Sequence, residues 1–303
     1  MPAASCSCSP VIDVSGLVKT FSGQRALDGL DLRVPPGQVH GFLGPNGAGK
    51  STTIRILLGM YRRDGGAVRV LGMDPRHDAG RITARTAYVP GDVALWPALT
   101  GTQTLDALAA LRGARDLVRE RELIEAFRLD PGKPVRSYSK GNRQKVMLVA
   151  ALSAPCELLI LDEPTSGLDP LQSEVFVEAV RWAADRGRTV LMSSHVMAEV
   201  DRLCEGVTIV KDGRAVESGS LAELRHLRSV RITCLLPPGS VGGRLGSLRP
   251  PQPDDRGRVS VSVSSDKAPD VLRELLALGA REITCTPASL GEVFLEHYEG
   301  TAR

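Results

Sequence analysis

Short apolar runs separated by turn residues fill the first part of the chain and predict strands. The runs VIDV, LDLRV and QVHGFL lie between residues 11 and 43, with Asp-Gly and Pro-Gly pairs between them. Between residues 92 and 155 apolar residues recur at helical spacing instead, as in TLDALAALRG. Strand-like runs return with ELLILDEP, TVLMSSH and VTIVKDG. Continuous apolar strands that alternate with helices predict an α/β fold with a parallel sheet covered on both faces.

The pattern changes again after Gly219. The runs VRITCLL and RVSVSVS alternate with a period of two and flank a loop rich in Pro and Gly. Helix APDVLRELLALG, strand EITCT and a last helix, SLGEVFLEHY, follow, and Ser289 and Glu292 form a capping box for that last helix. We therefore predict a disordered tail at 1–10, a main domain at 11–219 and a small C-terminal α+β accessory domain at 220–303.

Composition restricts the classes of protein to which this chain can belong. With 42% hydrophobic and 24% charged residues over 303 positions, it has the composition of an ordinary globular protein. The formal net charge of +3 is too small to favour a polyanion, so we expect no nucleic acid partner. We also expect no membrane span, because no apolar run approaches about 18 residues. We expect no secretory signal, because the N-terminal segment MPAASCSCSP has neither a basic region nor an apolar region. The scattered cysteines fit a reduced, cytoplasmic setting.

The segment GPNGAGKST matches the phosphate-loop pattern G-x-x-x-x-G-K-[ST] without a gap. It follows a strand-like run and precedes a helix, as a loop that cradles phosphates must. Lys50 is expected to reach the β- and γ-phosphates of a bound nucleotide, and the Ser51 hydroxyl is expected to bind Mg²⁺. A glycine-rich turn that happens to contain a lysine is the alternative. The predicted nucleotide-binding residues here are Gly44, Pro45, Asn46, Gly47, Ala48, Gly49, Lys50, Ser51 and Thr52.

Two adjacent carboxylates end the apolar run LLILDEP. Successive strand residues point in opposite directions, so Asp162 and Glu163 are expected to have different tasks. Asp162 suits the Mg²⁺ shell, and Glu163 suits the general base that activates the attacking water. The alternative is that two acids simply end a strand. His195 ends a further apolar run, and we expect it to contact the γ-phosphate and orient that water, although a lone histidine is more often structural.

These pieces, in this order, resemble the ATP-binding cassette family over residues 11–219. GPNGAGKST and LLILDEP resemble its two Walker motifs, and SGLD, Ser166–Asp169, resembles its D-loop. YSKGN, Tyr138–Asn142, resembles the family signature, which is usually LSGGQ. The resemblance implies a P-loop NTPase cassette, with a RecA-like mixed sheet core, an antiparallel β subdomain and an α-helical subdomain at 92–155. It also implies that Asp169 contributes to nucleotide binding and that Phe21 stacks on adenine, the alternative for Phe21 being an ordinary core residue.

In this family two cassettes pack head to tail with ATP between them. The resemblance therefore implies that Ser139 and Gly141 of one subunit meet the γ-phosphate on the other. Tyr138, Lys140 and Asn142 depart from the usual signature, and Lys140 either adds positive charge near the site or faces solvent. A second departure stands at Gly91, where the family usually has Gln. The neighbouring Asp92 is a candidate substitute, and the role of that Gln is left unassigned.

The resemblance also implies a function and a set of partners. We expect an ATPase subunit, a homodimer or a cassette heterodimer, that powers export through a separate ABC-2-type transmembrane permease at the cytoplasmic face of the membrane. The C-terminal domain resembles that of bacterial drug and antibiotic exporter ATPases. The helical insert is expected to dock the permease, with Trp96 as either an apolar anchor or a buried residue. The alternatives are a weakly hydrolysing or regulatory cassette and a soluble cassette of translation or DNA repair.

Overall fold

The structure, a computed structural model, describes residues 9–194, 196–226, 229–237, 258–264 and 266–287. The described residues therefore exclude His195, residues 1–8 of the tail predicted at 1–10, and the last predicted helix with its capping box. The chain divides into two compact units, Met1–Ser218 and Gly219–Arg303, which are described separately below. Within the described ranges, no helix is both long enough and apolar enough to cross a bilayer.

A three-stranded antiparallel sheet opens the first unit, in the order β2-β1-β4. Its strands are β1 (Ile12–Phe21), β2 (Gln24–Val34) and β4 (Gly65–Val70). Strand β1 continues well beyond the predicted run VIDV, because Ser22 and Gly23 both adopt positive φ, 47° and 85°, and close a tight hairpin with β2. The β subdomain implied by the family resemblance is present.

A six-stranded sheet forms the centre of the first unit, in the order β5-β6-β7-β3-β8-β9. Its strands are β3 (Val39–Leu43), β5 (Thr86–Val89), β6 (Leu158–Asp162), β7 (Thr189–Ser194), β8 (Gly206–Lys211) and β9 (Arg214–Ser220). The four pairs β5-β6, β6-β7, β7-β3 and β3-β8 are parallel. Every residue of β3, β6 and β7 is buried, which explains their continuous apolar runs and confirms the predicted parallel sheet.

Helices connect these strands, and one more helix follows β9. They are α1 (Lys50–Leu57), α2 (Pro75–Ala84), α3 (Gly101–Arg112), α4 (Leu117–Ala126), α5 (Lys140–Leu152), α6 (Pro170–Ala184), α7 (Met197–Leu203) and α8 (Leu221–His226), with a 3-10 turn at Val135–Ser137. The three helices α3, α4 and α5 fall in the segment predicted to be helical. A capping box between Thr100 and Gln103 begins α3, and Gly113 ends it in the left-handed conformation.

One apolar cluster joins α1 to strands of both sheets. Ile54 and Leu57 on α1 are fully buried together with Phe42 on β3, Leu158 on β6 and Leu27 on β2. Because α1 begins at the end of the phosphate loop, burial of its apolar face fixes the position of that loop.

The second unit contains a three-stranded antiparallel sheet, in the order β11-β10-β12, and, besides α8, one further described helix. Its elements are β10 (Ser229–Leu235), β11 (Arg258–Ser264), α9 (Ala268–Ala277) and β12 (Arg281–Pro287). Alternate residues of β10 and β11, including Ile232, Val259 and Val261, are buried with Leu275 of α9. The period-two pattern therefore corresponds to one buried and one open face of this sheet.

Candidate active site

The phosphate loop connects β3 to α1, and its backbone geometry depends on glycine. Gly49 stands directly before α1 with φ of 106°, a conformation that side chains rarely adopt. A Cβ atom there would lie 2.5 Å from Leu27 Cδ2 and 2.8 Å from the Ala26 carbonyl oxygen. The loop is therefore held against the hairpin strand β2, and the N-terminus of α1 opens at its end.

Lys50 is buried within the loop that precedes it. Its Nζ atom donates to the carbonyl oxygens of Gly44, at 2.6 Å, and Pro45, at 3.0 Å. Burial lowers the pKa of the Lys50 ammonium group, and the negative charges of Glu163 and Asp162 oppose that shift. The side chain thus bonds the loop to itself and also lies in the field of the acidic strand end.

The two carboxylates at the end of β6 occupy different surroundings, because Asp162 ends the strand and Glu163 lies beyond it, rather than through strand alternation. Asp162 is buried and lies opposite Ser193 in the parallel register of β6 and β7, where it accepts a hydrogen bond from the Ser193 hydroxyl. Glu163 leaves the strand with φ of 47°, in the left-handed region. Its N–H donates to Ser193, at 3.0 Å from Oγ and 3.2 Å from the carbonyl oxygen.

A cleft of about 180 Å³ brings the phosphate loop and Glu163 together. The carboxyl ends of parallel strands meet at one edge of a sheet, so β3 delivers the loop and β6 delivers the glutamate to the same place. Most of the residues predicted to bind nucleotide line it. The lining residues are Ala26, Pro45, Asn46, Gly47, Gly49, Lys50, Ser51, Thr52 and Glu163. Ala26, on strand β2, is a lining residue that the sequence analysis did not predict.

Phe21 lies at the end of β1 and outside the lining of this cleft. It is 40% exposed, so the alternative that it is an ordinary core residue is wrong. Its ring meets that of Tyr61 edge to face, with centroids 5.5 Å apart, and the Lys19 ammonium lies 5.1 Å from its centroid. Stacking on adenine stays a prediction, and Tyr61 is an aromatic neighbour that the sequence analysis missed.

The signature segment begins helix α5. Ser139 caps the helix, with its Oγ accepting the Asn142 N–H at 3.2 Å. Gly141 touches the D-loop so closely that a Cβ atom would lie 2.3 Å from the Gly167 carbonyl oxygen. Tyr138 is buried and donates its hydroxyl to the Asp130 carbonyl oxygen at 2.6 Å, which gives this departure from the usual signature a structural role.

Two further side chains join the signature helix to the segment after Glu163. The Lys140 Nζ donates to Ser166 Oγ at 2.9 Å, so this departure from the signature binds the D-loop of the same chain. Gln144 is buried and donates through Nε2 to the Pro164 carbonyl oxygen at 2.9 Å. The predicted nucleotide residue Asp169 caps α6, with its Oδ1 accepting the Gln172 N–H at 2.9 Å.

Gly91 lies beside the acidic strand end. A Cβ atom built on it would lie 3.3 Å from the Asp162 carbonyl oxygen and 3.7 Å from Asp162 Cγ. A side chain at this position would therefore project next to Asp162, and glycine supplies none. Asp92 is exposed. Trp96 is 47% exposed, so the alternative that it is a buried residue is wrong.

Comparisons with known proteins agree with this arrangement. The family model described as "ABC transporter" matches residues 27–166. The daunorubicin resistance ATP-binding protein DrrA3 of Streptomyces coeruleorubidus is 37% identical over 306 residues, 96% of each chain. The daunorubicin/doxorubicin resistance ATP-binding protein DrrA of Streptomyces peucetius is 40% identical over 219 residues, 71% of this chain and 66% of that protein.

A solved structure has a similar fold over most of this chain. It is described as the ATP binding subunit of an ABC transporter, with a TM-score of 0.66 and 30% identity, and the match covers 71% of this chain and 92% of that one. The resemblance to the ATP-binding cassette family and the predicted fold class are therefore confirmed. Neither the regulatory cassette nor the cassette of translation or DNA repair is favoured by these proteins.

Proposed function

Since the chain belongs to the ABC transporter family, whose ATP-binding subunits are ATPases, we propose that it powers drug export through a separate membrane permease. The main support for this proposal is the cleft in which Lys50, Ser51 and Glu163 converge from the ends of β3 and β6. The relative that matches 96% of each chain is a daunorubicin resistance protein, which supports a drug as the cargo. We assign nucleotide binding to residues 11–219, and an accessory role to 220–303.

The residues of the cleft have separate tasks in this proposal. The amides of the phosphate loop and the Lys50 ammonium bind and orient the phosphates of ATP. The Ser51 hydroxyl and the Asp162 carboxylate are oxygen donors of the kind that Mg²⁺ takes, and bound Mg²⁺ would neutralise phosphate charge. Glu163 accepts a proton from the water that attacks the γ-phosphate, and His195 is proposed to orient that water.

The test of this assignment is the turnover of purified protein. Glu163→Gln keeps the size of the side chain but removes the base, so we expect ATP hydrolysis to fall by about 100-fold or more while ATP binding is preserved. Lys50→Ala should weaken ATP binding itself. Exposed Arg33→Ala is the matched control and should change neither quantity. Hydrolysis at the wild-type rate in Glu163→Gln would refute the proposed base.

We further propose that two cassettes, identical or paired with a different one, enclose ATP between them. Ser139 and the N-terminus of α5 would meet the γ-phosphate bound by the partner, and Phe21 would stack on adenine. Gly141 supports this arrangement because it packs the signature against the D-loop. Asp169 supports it because it caps α6. We expect light scattering to show that Glu163→Gln forms dimers when ATP is added. Adding Ser139→Arg to this variant should prevent the dimers from forming.

A groove of about 450 Å³ between the core and the helical insert is the proposed docking site for the permease. It is mostly apolar, and two of its residues, Met60 and Leu111, are 57% and 78% exposed. An apolar segment on the cytoplasmic side of a permease would cover them, and this protein would then act at the cytoplasmic face of the membrane.

The docking proposal has a matched pair of variants. Leu111→Glu should abolish co-purification with the permease and drug resistance, while ATP hydrolysis by the isolated protein is unchanged. Leu276→Glu, which changes a 61% exposed leucine of the second unit, should affect none of these. Full resistance with Leu111→Glu would place the permease elsewhere.

A further inference from the structure

A serine with no place in the family motifs bonds both residues at the end of β6, the Asp162 carboxylate and the Glu163 N–H. Ser193 is fully buried on β7, a strand whose preceding residues Val190, Leu191 and Met192 are all apolar and buried. A polar side chain in such surroundings requires hydrogen-bond partners. Its partners are the two residues at the end of β6.

The Ser193 hydroxyl makes one hydrogen bond to each of these residues. It donates to Asp162 Oδ1 and accepts the Glu163 N–H at 3.0 Å. One oxygen atom therefore orients the carboxylate of Asp162 and holds the backbone of Glu163 where that residue turns into the left-handed conformation, with φ of 47°.

The surroundings of Asp162 make this bond more important. Gly91 lies beside the same carboxylate and offers no side chain to orient it. The register of β6 and β7, in contrast, places Ser193 directly opposite Asp162. In metal sites, residues that do not touch the metal commonly orient its ligands through hydrogen bonds, and Ser193 is placed to orient Asp162 in this way.

We propose that Ser193 is a positioning residue, which holds Asp162 for Mg²⁺ and Glu163 for the attacking water at the same time. The inference rests on the proposed roles of these two carboxylates. It predicts that loss of the hydroxyl affects turnover and the contribution of Mg²⁺ to binding, but not the binding of metal-free nucleotide, which depends on the phosphate loop.

The experiment uses Ser193→Ala in the full chain. We expect turnover to fall about tenfold. In calorimetry with the non-hydrolysable analogue adenylyl imidodiphosphate, affinity in EDTA should equal that of the wild type, while the gain in affinity on adding Mg²⁺ should shrink several-fold. Turnover and a Mg²⁺ gain equal to those of the wild type would overturn the proposal.

Ser153→Ala is the matched control. Ser153 is also buried, and its hydroxyl donates a hydrogen bond to the Val149 carbonyl oxygen at 2.7 Å. It should lower thermal stability without changing the Mg²⁺ gain. Equal losses of turnover in the two variants would reduce Ser193 to an ordinary structural residue. If Ser193→Ala does not fold, Ser193→Thr and Ser193→Cys decide: higher activity with Thr supports the hydroxyl, and equal activity overturns its role.

Glu163→Gln is measured in parallel, so that the two ideas can fail separately. Wild-type hydrolysis in Glu163→Gln would remove the proposed function. Abolished hydrolysis in Glu163→Gln together with a fully active Ser193→Ala would remove only the inference about Ser193.

Discussion

Individual glycines in this protein are required by what lies against them. Gly141 shows this most clearly, because its Cα faces the Gly167 carbonyl oxygen with no space for a methyl group. The N-terminus of α5 therefore packs directly on the D-loop of the same chain. A residue of the signature is thus fixed by contact with a second motif, in addition to any contact with phosphate.

The variant Gly141→Ala tests this contact. Its Cβ would stand 2.3 Å from a backbone oxygen, so α5 and the D-loop must separate. We expect turnover to fall at least about tenfold, as for small displacements in an active site. Nucleotide binding by the phosphate loop should be kept. The measurements are steady-state ATPase activity and binding of a fluorescent ATP analogue.

Gly80→Ala is the matched control, since a Cβ atom there meets nothing within 4 Å. A glycine within a helix costs about 0.5–1 kcal/mol relative to alanine, so this variant should be slightly more stable and fully active. A fully active Gly141→Ala would show that the D-loop can move away from α5 without loss of turnover, which would contradict the importance of this contact.

At the scale of elements, an arginine–tryptophan stack joins the helical insert to the core. The guanidinium carbons of Arg119, near the start of α4, and of Arg186, just after α6, lie 3.8 Å and 3.7 Å from the centroid of the Trp182 ring. Arg119 Nε is buried and, among the described residues, has no hydrogen-bond partner. The ring and an ion pair from Arg119 Nη1 to Glu122 Oε2, at 2.9 Å, therefore hold this cation in place.

Arg119→Met should weaken the junction between α4 and α6. The substitution keeps the length of the side chain and removes the charge, so we expect about 1 kcal/mol less free energy of unfolding, as for a partly desolvated cation–π pair. Urea denaturation followed by circular dichroism measures it. In a Trp182→Leu background the same change should have little effect, and Arg81→Met, at a 76% exposed side chain, should be neutral. Equal losses in both backgrounds would contradict the stack.

The elements themselves were largely predictable, and their partners were not. The phosphate loop and the acidic strand end are encoded within single segments, so their residue types and spacing suffice to locate them. Ser193 and Gln144 act on residues 31 and 20 positions away, through strand register and helix packing. Local periodicity carries no information about contacts between residues so far apart in the chain. For the same reason it did not reveal that β3 lies between β7 and β8.

At the scale of the whole molecule, one buried histidine links stability to pH. His40 lies on β3 with its Nε2 2.9 Å from Thr208 Oγ1, and burial lowers its pKa from 6.5 to about 4. Between these two values the unfolded chain binds a proton that the folded chain does not. Stability from this group is therefore complete above pH 6.5, is lost as the pH falls toward 4, and stays level below it.

We expect the free energy of unfolding to decrease by roughly 2–3 kcal/mol from this group between pH 7 and pH 4. His40→Asn should remove that part of the pH dependence, whereas His77→Gln, at an exposed position, should keep it. Urea unfolding at a series of pH values provides the comparison. An unchanged slope in His40→Asn would mean that other groups cause the dependence.

The central position of β3 has a consequence for the order in which the molecule comes apart. This strand holds the phosphate loop and is paired on both sides, by β7 and β8, whereas β5, which contributes Thr86 and Tyr88 to the groove, is an edge strand. Amide hydrogens of β5 should therefore exchange with solvent earlier than those of β3. On gentle heating, the groove proposed to bind the permease would therefore lose its structure before the phosphate loop, and coupling to the permease would be lost while nucleotide was still bound.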